Sequence, residues 1–390
     1  TDPILDFQLQ FNFEAMLLRH WFFSLFIIGF GLISCDVKKQ QPSILENVPM
    51  RGVWLTNIAS DVLFSDQNIV EAVDLCDSLG FTHIFVVTYN EALTTYPSKI
   101  MESLTGQKID PAIGDRDPLK ILIEEAHQKG IKVHAWFEFG FSCAYQNKDG
   151  GPILKAKPHW AAKDKNGQLV TKNGFMWLNA FDPEVQNFVK SLVLEVIQNY
   201  DIDGIQGDDR LPALPSSAGY DSLTVALYKN DHNGNIPPAY EKDYDWIKWR
   251  STQLTSFLKG LVANIRKIDD DITISMAPSI YPWSEQEYLQ DWPTWVNLGL
   301  VDYIIPQIYR YRQDRYAYEL DKIINEQLAR QHHHKVVPGI LLQVDDYNPS
   351  EGMLDSMIQT NRAYGLEGEV HFFYEGIKKF KGYFYKKYKG

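Results

Sequence analysis

Short β-branched and aromatic runs alternate with longer runs in which apolar residues recur every three or four positions, and the alternation repeats eight times after residue 50. The first run, 51–56, reads RGVWLT. The stretch after it sets Ile69, Val70, Val73, Cys76 and Leu79 on one helical face and stops at Gly80, the residue type that best takes the left-handed conformation closing a helix. A second strand is predicted over 82–88. The next helix opens at Asp117-Pro118, an acceptor side chain followed by proline in the first turn, and ends at Gly130. A third strand covers 131–138, and Asp182-Pro183 repeats the same helix start, followed by Val185, Phe188, Val189, Leu192 and Val196. The remaining strands are read at 204–207, 272–276, 303–307, 336–342 and 369–373, with a long helix over 243–268.

Eight β-then-α units predict an α/β fold, the (β/α)8 TIM barrel, with long loops over 139–182 and 209–241 at the C-terminal rim. The alternative, a doubly wound sheet, announces itself by a glycine-rich loop after its first strand; here strand one runs into Thr56-Asn57-Ile58. The basic stretch after Ile377 reads as a solvated terminal helix.

The first 50 residues are patterned differently. Arg19 and His20 precede an almost wholly apolar run from Trp21 to Ile33, too short for a comfortable membrane span and suited to a signal-peptide core. It closes with Leu32-Ile33-Ser34-Cys35, which resembles the lipobox of bacterial lipoproteins. That resemblance implies lipidation at Cys35, attachment to a membrane through the anchor, and a place in the bacterial cell envelope facing the periplasm or the cell surface. An ordinary signal peptide, or a membrane anchor with an incidental cysteine, is the alternative. Residues 1–15 then read as an upstream extension, 16–34 as the signal peptide, 35–49 as a polar tether and 50–390 as the barrel.

Composition narrows the chemistry. A chain of 390 residues with 45% hydrophobic content supports one barrel-sized core, and a net charge of −12 argues against a nucleic-acid partner, which needs a basic footprint. Three cysteines form neither a disulfide framework nor a zinc motif, no His/Asp/Glu set has metal-binding spacing, and no cofactor is expected. Aromatic residues at 13% serve either a large core or the stacking of sugar rings.

In a barrel the chemistry sits at the C-terminal strand ends. Those ends carry Trp54 and Asn57; Tyr89, Asn90 and Glu91; Glu138 beside Trp136; Asp208, Asp209 and Arg210; Gln307 and Tyr309; Gln343; and Tyr374 and Glu375. Carboxylates dominate, the equipment glycosidic bond hydrolysis needs: one acid to protonate the leaving oxygen and one carboxylate to attack or to activate water. Each has a plainer reading. Asp208 and Asp209 suit a cap or a pair with Arg210, and strand alternation aims only one of them into the pocket. Glu138 suits a rim acid paired with an arginine. Asp203, at the other end of strand four, shapes a turn, and His134, in mid-strand, is a core histidine.

Several motifs together resemble the glycosyl-hydrolase-like family 10, exported bacterial barrel proteins: Arg51-Gly52-Val53-Trp54-Leu55-Thr56, Arg116-Asp117-Pro118-Leu119, Trp136-Phe137-Glu138-Phe139-Gly140, Trp177-Leu178-Asn179, Asp203-Gly204-Ile205-Gln206 with Asp208-Asp209, and Leu289-Gln290-Asp291-Trp292-Pro293-Thr294-Trp295. The resemblance spans about 51–376 and implies a TIM barrel that hydrolyses a polysaccharide, with cell-wall glycan strands a leading substrate class. The strand-four motif is also similar to that of α-amylase-like glycosidases, which aligns Asp208 with their nucleophile. Where the family carries an aromatic residue before the acidic pair and a histidine after it, this chain has Gly207 and Arg210. Gly207 is expected to loosen the strand end, and Arg210 to lower a neighbouring carboxylate's pKa. On this reading Asp208 is nucleophile or base, Glu138 or Asp209 the acid, and Asn179, Gln307, Tyr309 and Tyr374 position the sugar. Trp54, Trp136 and Trp283 would be stacking platforms. The rival reading is a glycan-binding protein with a degenerate site.

Overall fold

The computed structural model describes residues 49–390, and one compact unit runs from Met50 to Gly390. The leader, Cys35 and all but the last residue of the tether lie outside the described residues.

The eight expected strands are β1 Arg51–Leu55, β2 His83–Val87, β3 Lys132–Phe137, β4 Gly204–Gly207, β5 Thr273–Met276, β6 Tyr303–Ile304, β7 Gly339–Leu341 and β8 Glu369–Phe372. They form one parallel sheet in the order β6-β5-β4-β3-β2-β1-β8-β7. Backbone hydrogen bonds from Val337 N to Ile304 O (2.9 Å) and Ile308 N to Gly339 O (3.1 Å) join β6 to β7 and close the ring. These two strands are shorter than the apolar runs that contain them, because Pro306 and Pro338 bring no N–H to the ladder.

One principal helix follows each strand: α1 Asp66–Leu79, α2 Pro118–Gln128, α3 Pro183–Asn199, α4 Tyr244–Ile268, α5 Trp292–Asn297, α6 Gln313–Lys322, α7 Glu351–Ala363 and α8 Lys381–Tyr388. The start signals work as expected: the Asp117 and Asp182 side chains accept from the N–H groups of Lys120 and Glu184. Asp203 accepts from Val133 N at 2.7 Å and meets His127 Nε2 at 2.8 Å, so it shapes the entry to β4.

The barrel interior is aromatic. The Trp54 ring lies 6.0 Å from both Phe85 and Phe372, and His134 stacks on Phe85 at 4.5 Å. His134 reaches the interior because β4 offers no side chain beside it: a Cβ on Gly204 would stand 2.3 Å from its ring.

The tail corrects one expectation. Helix α8 turns its lysines to solvent but buries Phe384 and Tyr388 against the bottom of the barrel. The Tyr388 hydroxyl donates to Glu369 at 2.6 Å, and Arg51 donates to the Tyr388 carbonyl at 2.8 Å.

Candidate active site

The site is built around one arginine. After Gly207 the chain leaves the strand and turns, with Leu211 N bonded to Asp208 O at 3.1 Å. The turn cancels the expected alternation, and both Asp208 and Asp209 meet the Arg210 guanidinium, at 3.3 and 2.9 Å. Glu138, at the end of β3, meets it at 3.2 Å, and the Glu138 carbonyl takes its Nε–H at 2.9 Å. The guanidinium lies over the Phe175 ring, 4.6 Å from its centroid. All four charged side chains are buried.

Two glycines make this turn possible. A Cβ on Gly207 would meet the Leu211 carbonyl oxygen at 2.3 Å, and one on Gly140, where φ is +49°, would meet the Arg210 carbonyl oxygen at the same distance. Gly207 therefore tightens the strand end instead of loosening it.

Neighbours orient each acid. Asp208 accepts from Gln307 Nε2 at 2.6 Å, from its neighbour's backbone Asp209 N at 2.6 Å and from Trp136 Nε1 at 3.1 Å. Asn90 donates to Glu138 at 2.6 Å. Beneath them Trp54 donates to Gln206 at 2.6 Å, and Gln206 to Ser275 at 3.2 Å.

Burial decides the protonation. It pushes Glu138 up to about 7, against the pull of Arg210 and Asn90, and Asp209 adds to the rise. Asp208 is pushed well above the ordinary carboxylate range by burial and by Asp209, although Arg210 lowers it and the donors on its oxygens favour the ionised form. Arg210 pulls both carboxyls down, as expected, but burial outweighs that pull. Burial works against the arginine's own charge, but the three carboxylates outweigh it and raise its pKa. The Tyr309 hydroxyl is driven well up by burial and then by the same three acids, and its ring stands edge-on to Trp54 at 6.4 Å.

Glu138, Asp208, Asp209, Arg210, Asn90, Trp136, Gln307 and Tyr309 thus come together. The other expected residues lie elsewhere. Trp54 and Trp136 are closed in and present no free face, so neither is a stacking platform. Trp283 is half-buried against Tyr288, with ring centroids 5.5 Å apart. Tyr89 packs on Phe188 of α3, and its hydroxyl has no hydrogen-bond partner. Asn179 holds its own loop through Phe181 N and Thr224. Tyr374 is buried, and Glu375 accepts from Ser60 at 2.8 Å. Asn57 and Gln343 each bury an amide oxygen without a partner.

Two contributors escaped the sequence reading, and a third was placed at the rim without a role. Gln290 donates to the backbone carbonyls of Asp208 and Pro212, at 3.0 and 3.2 Å, and its signal was a place in the motif 289–295. Phe175 lies under Arg210 and carried no signal. Glu91 stands in the left-handed region with φ +48°, and burial, Glu138 and Asp110 push its carboxyl up to about 7. The sequence had already set it at the end of strand two.

A family model described as glycosyl hydrolase-like 10 matches residues 49–349. Glycosyl hydrolase DigH of Escherichia coli (strain K12) is 27% identical over 342 residues, covering 73% of this chain and 74% of its own. Glycosyl hydrolase YngK of Bacillus subtilis (strain 168) is 24% identical over 325 residues, covering 73% of this chain and 58% of its own. Among solved structures, the glycoside hydrolase domain of PgaB (BpsB) from Bordetella bronchiseptica superposes with a TM-score of 0.63 at 13% identity, over 85% of this chain and 95% of that one. Identity that low speaks for the TIM-barrel fold alone.

Proposed function

The chain belongs to the glycosyl hydrolase-like 10 family, and on that premise we propose that it hydrolyses glycosidic bonds in a polysaccharide by carboxylate acid–base catalysis. The observation that carries the proposal is the Glu138–Asp208–Asp209 cluster at the C-terminal rim, with Glu138 raised to about 7. A carboxyl with that pKa holds a proton near neutrality and can deliver it to the leaving oxygen. In its ionised form, which Gln307, Trp136 and Arg210 favour against burial, Asp208 attacks the anomeric carbon or takes a proton from the attacking water. Water's hydroxyl ends on the anomeric carbon and the proton on the released sugar.

Cell-wall glycan strands are the first substrate to offer, because the leader in the sequence points to the envelope. We extend the proposal to Cys35 as the site of a lipid anchor; Cys35→Ala should move the protein from the membrane to the soluble fraction, and unchanged fractionation would reject the anchor. The central experiment incubates the protein and its Asp208→Asn variant with a glycan panel that includes peptide-free and peptide-bearing cell wall, with products read by mass spectrometry. New reducing ends with the parent, lost by on the order of 10³-fold or more in the variant, are expected. One observation favours a second reading: Arg210 engages all three acids in a buried network, which suits a glycan-binding protein that does not turn over. Binding without new reducing ends in either protein would establish that reading instead.

A further inference from the structure

A cleft of about 480 Å³, within the size range of ligand sites, opens on the same rim between the segment before α4 and the segment after β5. Its walls carry Tyr240, Tyr244 and Tyr281. Tyr240 and Tyr244 are 66% and 73% exposed, and neither ring stacks on another among the described residues. Exposed, unpartnered aromatic faces in a concave setting are suited to the C–H faces of sugar rings.

The charges in the cleft cancel locally. Lys248 donates to Glu285 at 2.7 Å, and Lys242 pairs with Glu287, which also takes Lys172. Glu285 itself is buried and further held by Ser251 and by the Tyr281 hydroxyl, at 3.2 and 3.1 Å. Lys248 also lies 3.7 Å from Asp291, so three lysines face three carboxylates and the cleft offers no net charge for an anionic or cationic ligand. Flat apolar faces edged by polar groups remain, which is the complement of a neutral sugar.

One chain segment links the cleft to the acid cluster. Residues 214–216, just beyond Arg210, are hydrogen-bonded to 287–288 through Leu214 N to Tyr288 O (3.0 Å) and Ser216 N to Glu287 O (2.9 Å). Gln290 in turn holds the Asp208 carbonyl. The segment 285–290 therefore has the cleft on one side and supports the acid cluster on the other.

We propose that this cleft is a second glycan-binding site, which takes neutral sugar units of the same polymer on Tyr240 and Tyr244 and holds the chain while a distant bond lies at the acid cluster. The inference rests on the glycosidase reading above. The test uses Tyr240→Ala/Tyr244→Ala, two exposed positions whose loss leaves the core intact. Binding to peptide-free cell-wall glycan is measured in the Asp208→Asn background, where turnover does not interfere, and turnover of a tetrasaccharide prepared from the same glycan is measured in the active background. The expected result is a loss of polymer binding of about tenfold or more, with tetrasaccharide turnover unchanged and binding insensitive to added salt. Undiminished polymer binding by the double variant, while the parent cleaves, overturns this inference alone. A parent that neither binds nor cleaves any strand overturns it together with the glycosidase reading. Equal loss of polymer binding and tetrasaccharide turnover also overturns it, because the tyrosines would then belong to the catalytic cleft itself.

Discussion

The two ends of the barrel both bury carboxylates against arginine, and they do it differently. At the bottom, Glu369 is fully buried and matched by one arginine, Arg362, through two bonds of 2.8 and 2.9 Å, with the Tyr388 hydroxyl as a third donor. At the rim, three carboxylates share Arg210. One partner per charge makes a structural fastening. One cation for three anions leaves negative charge that the interior does not stabilise, and that surplus, together with burial, raises the proton affinity of Glu138.

If the surplus is functional, the largest effect comes from removing the raised member assigned to give up its proton. Glu138→Gln should lower turnover about 10²–10⁴-fold. In the parent, activity should fall as pH rises through about 7, because Glu138 then loses the proton it must donate. The residual activity of the variant should lack that basic limb, and a pH profile of both proteins decides. An unaltered limb in the variant would move the acid role to another group, with Glu91, also raised to about 7, the first to test.

Next come the two arginines. Arg210→Met strands three buried acids, and a loss of about 3–5 kcal/mol in chemical denaturation is expected, together with loss of glycan turnover. Arg362→Met strands only Glu369, and about a third of its side chain is exposed, so the loss should be nearer 2–3 kcal/mol. Turnover per folded molecule should survive in that variant. A fall in its turnover matching that of Arg210→Met would erase the distinction between the two ends.

The smallest effect concerns the histidines between them. Burial drives His134 and His371 down to about 4, so neither is protonated in the folded chain where the unfolded chain titrates near 6.5. The unfolded state binds more protons in that window, and stability is lost as pH falls from 6.5 towards 4. Neither ring nitrogen of His134 has a hydrogen-bond partner. His134→Leu should therefore leave the melting temperature near pH 7 unchanged or higher and reduce the drop on going to about pH 5.

The frame of the molecule was legible because its signals are local. Asp117-Pro118 and Asp182-Pro183 start helices with their own side chains, and the eight apolar runs coincide with the eight strands. Even the shortening of β6 and β7 was written in Pro306 and Pro338. The candidate site was legible as a set of strand ends but not as an arrangement. Whether Asp209 points in or out depended on a turn that begins at Asp208, and the space for that turn depends on Gly140, nearly seventy residues earlier. The side of α8 that faces the barrel could not be read from a lysine-rich stretch either, since its partners Glu369 and Arg51 come from opposite ends of the barrel's sequence.

That last arrangement bears on how the protein is made. Tyr388 joins β1 to β8 at the base of the ring: its carbonyl receives Arg51, and its hydroxyl reaches Glu369. During synthesis Arg51 leaves the ribosome more than three hundred residues before Tyr388 does. Until then the first strand lacks its partner in the eighth, and this part of the seam waits for translation to catch up. Until β8 is made, the edge of β1 that it covers therefore has no partner strand.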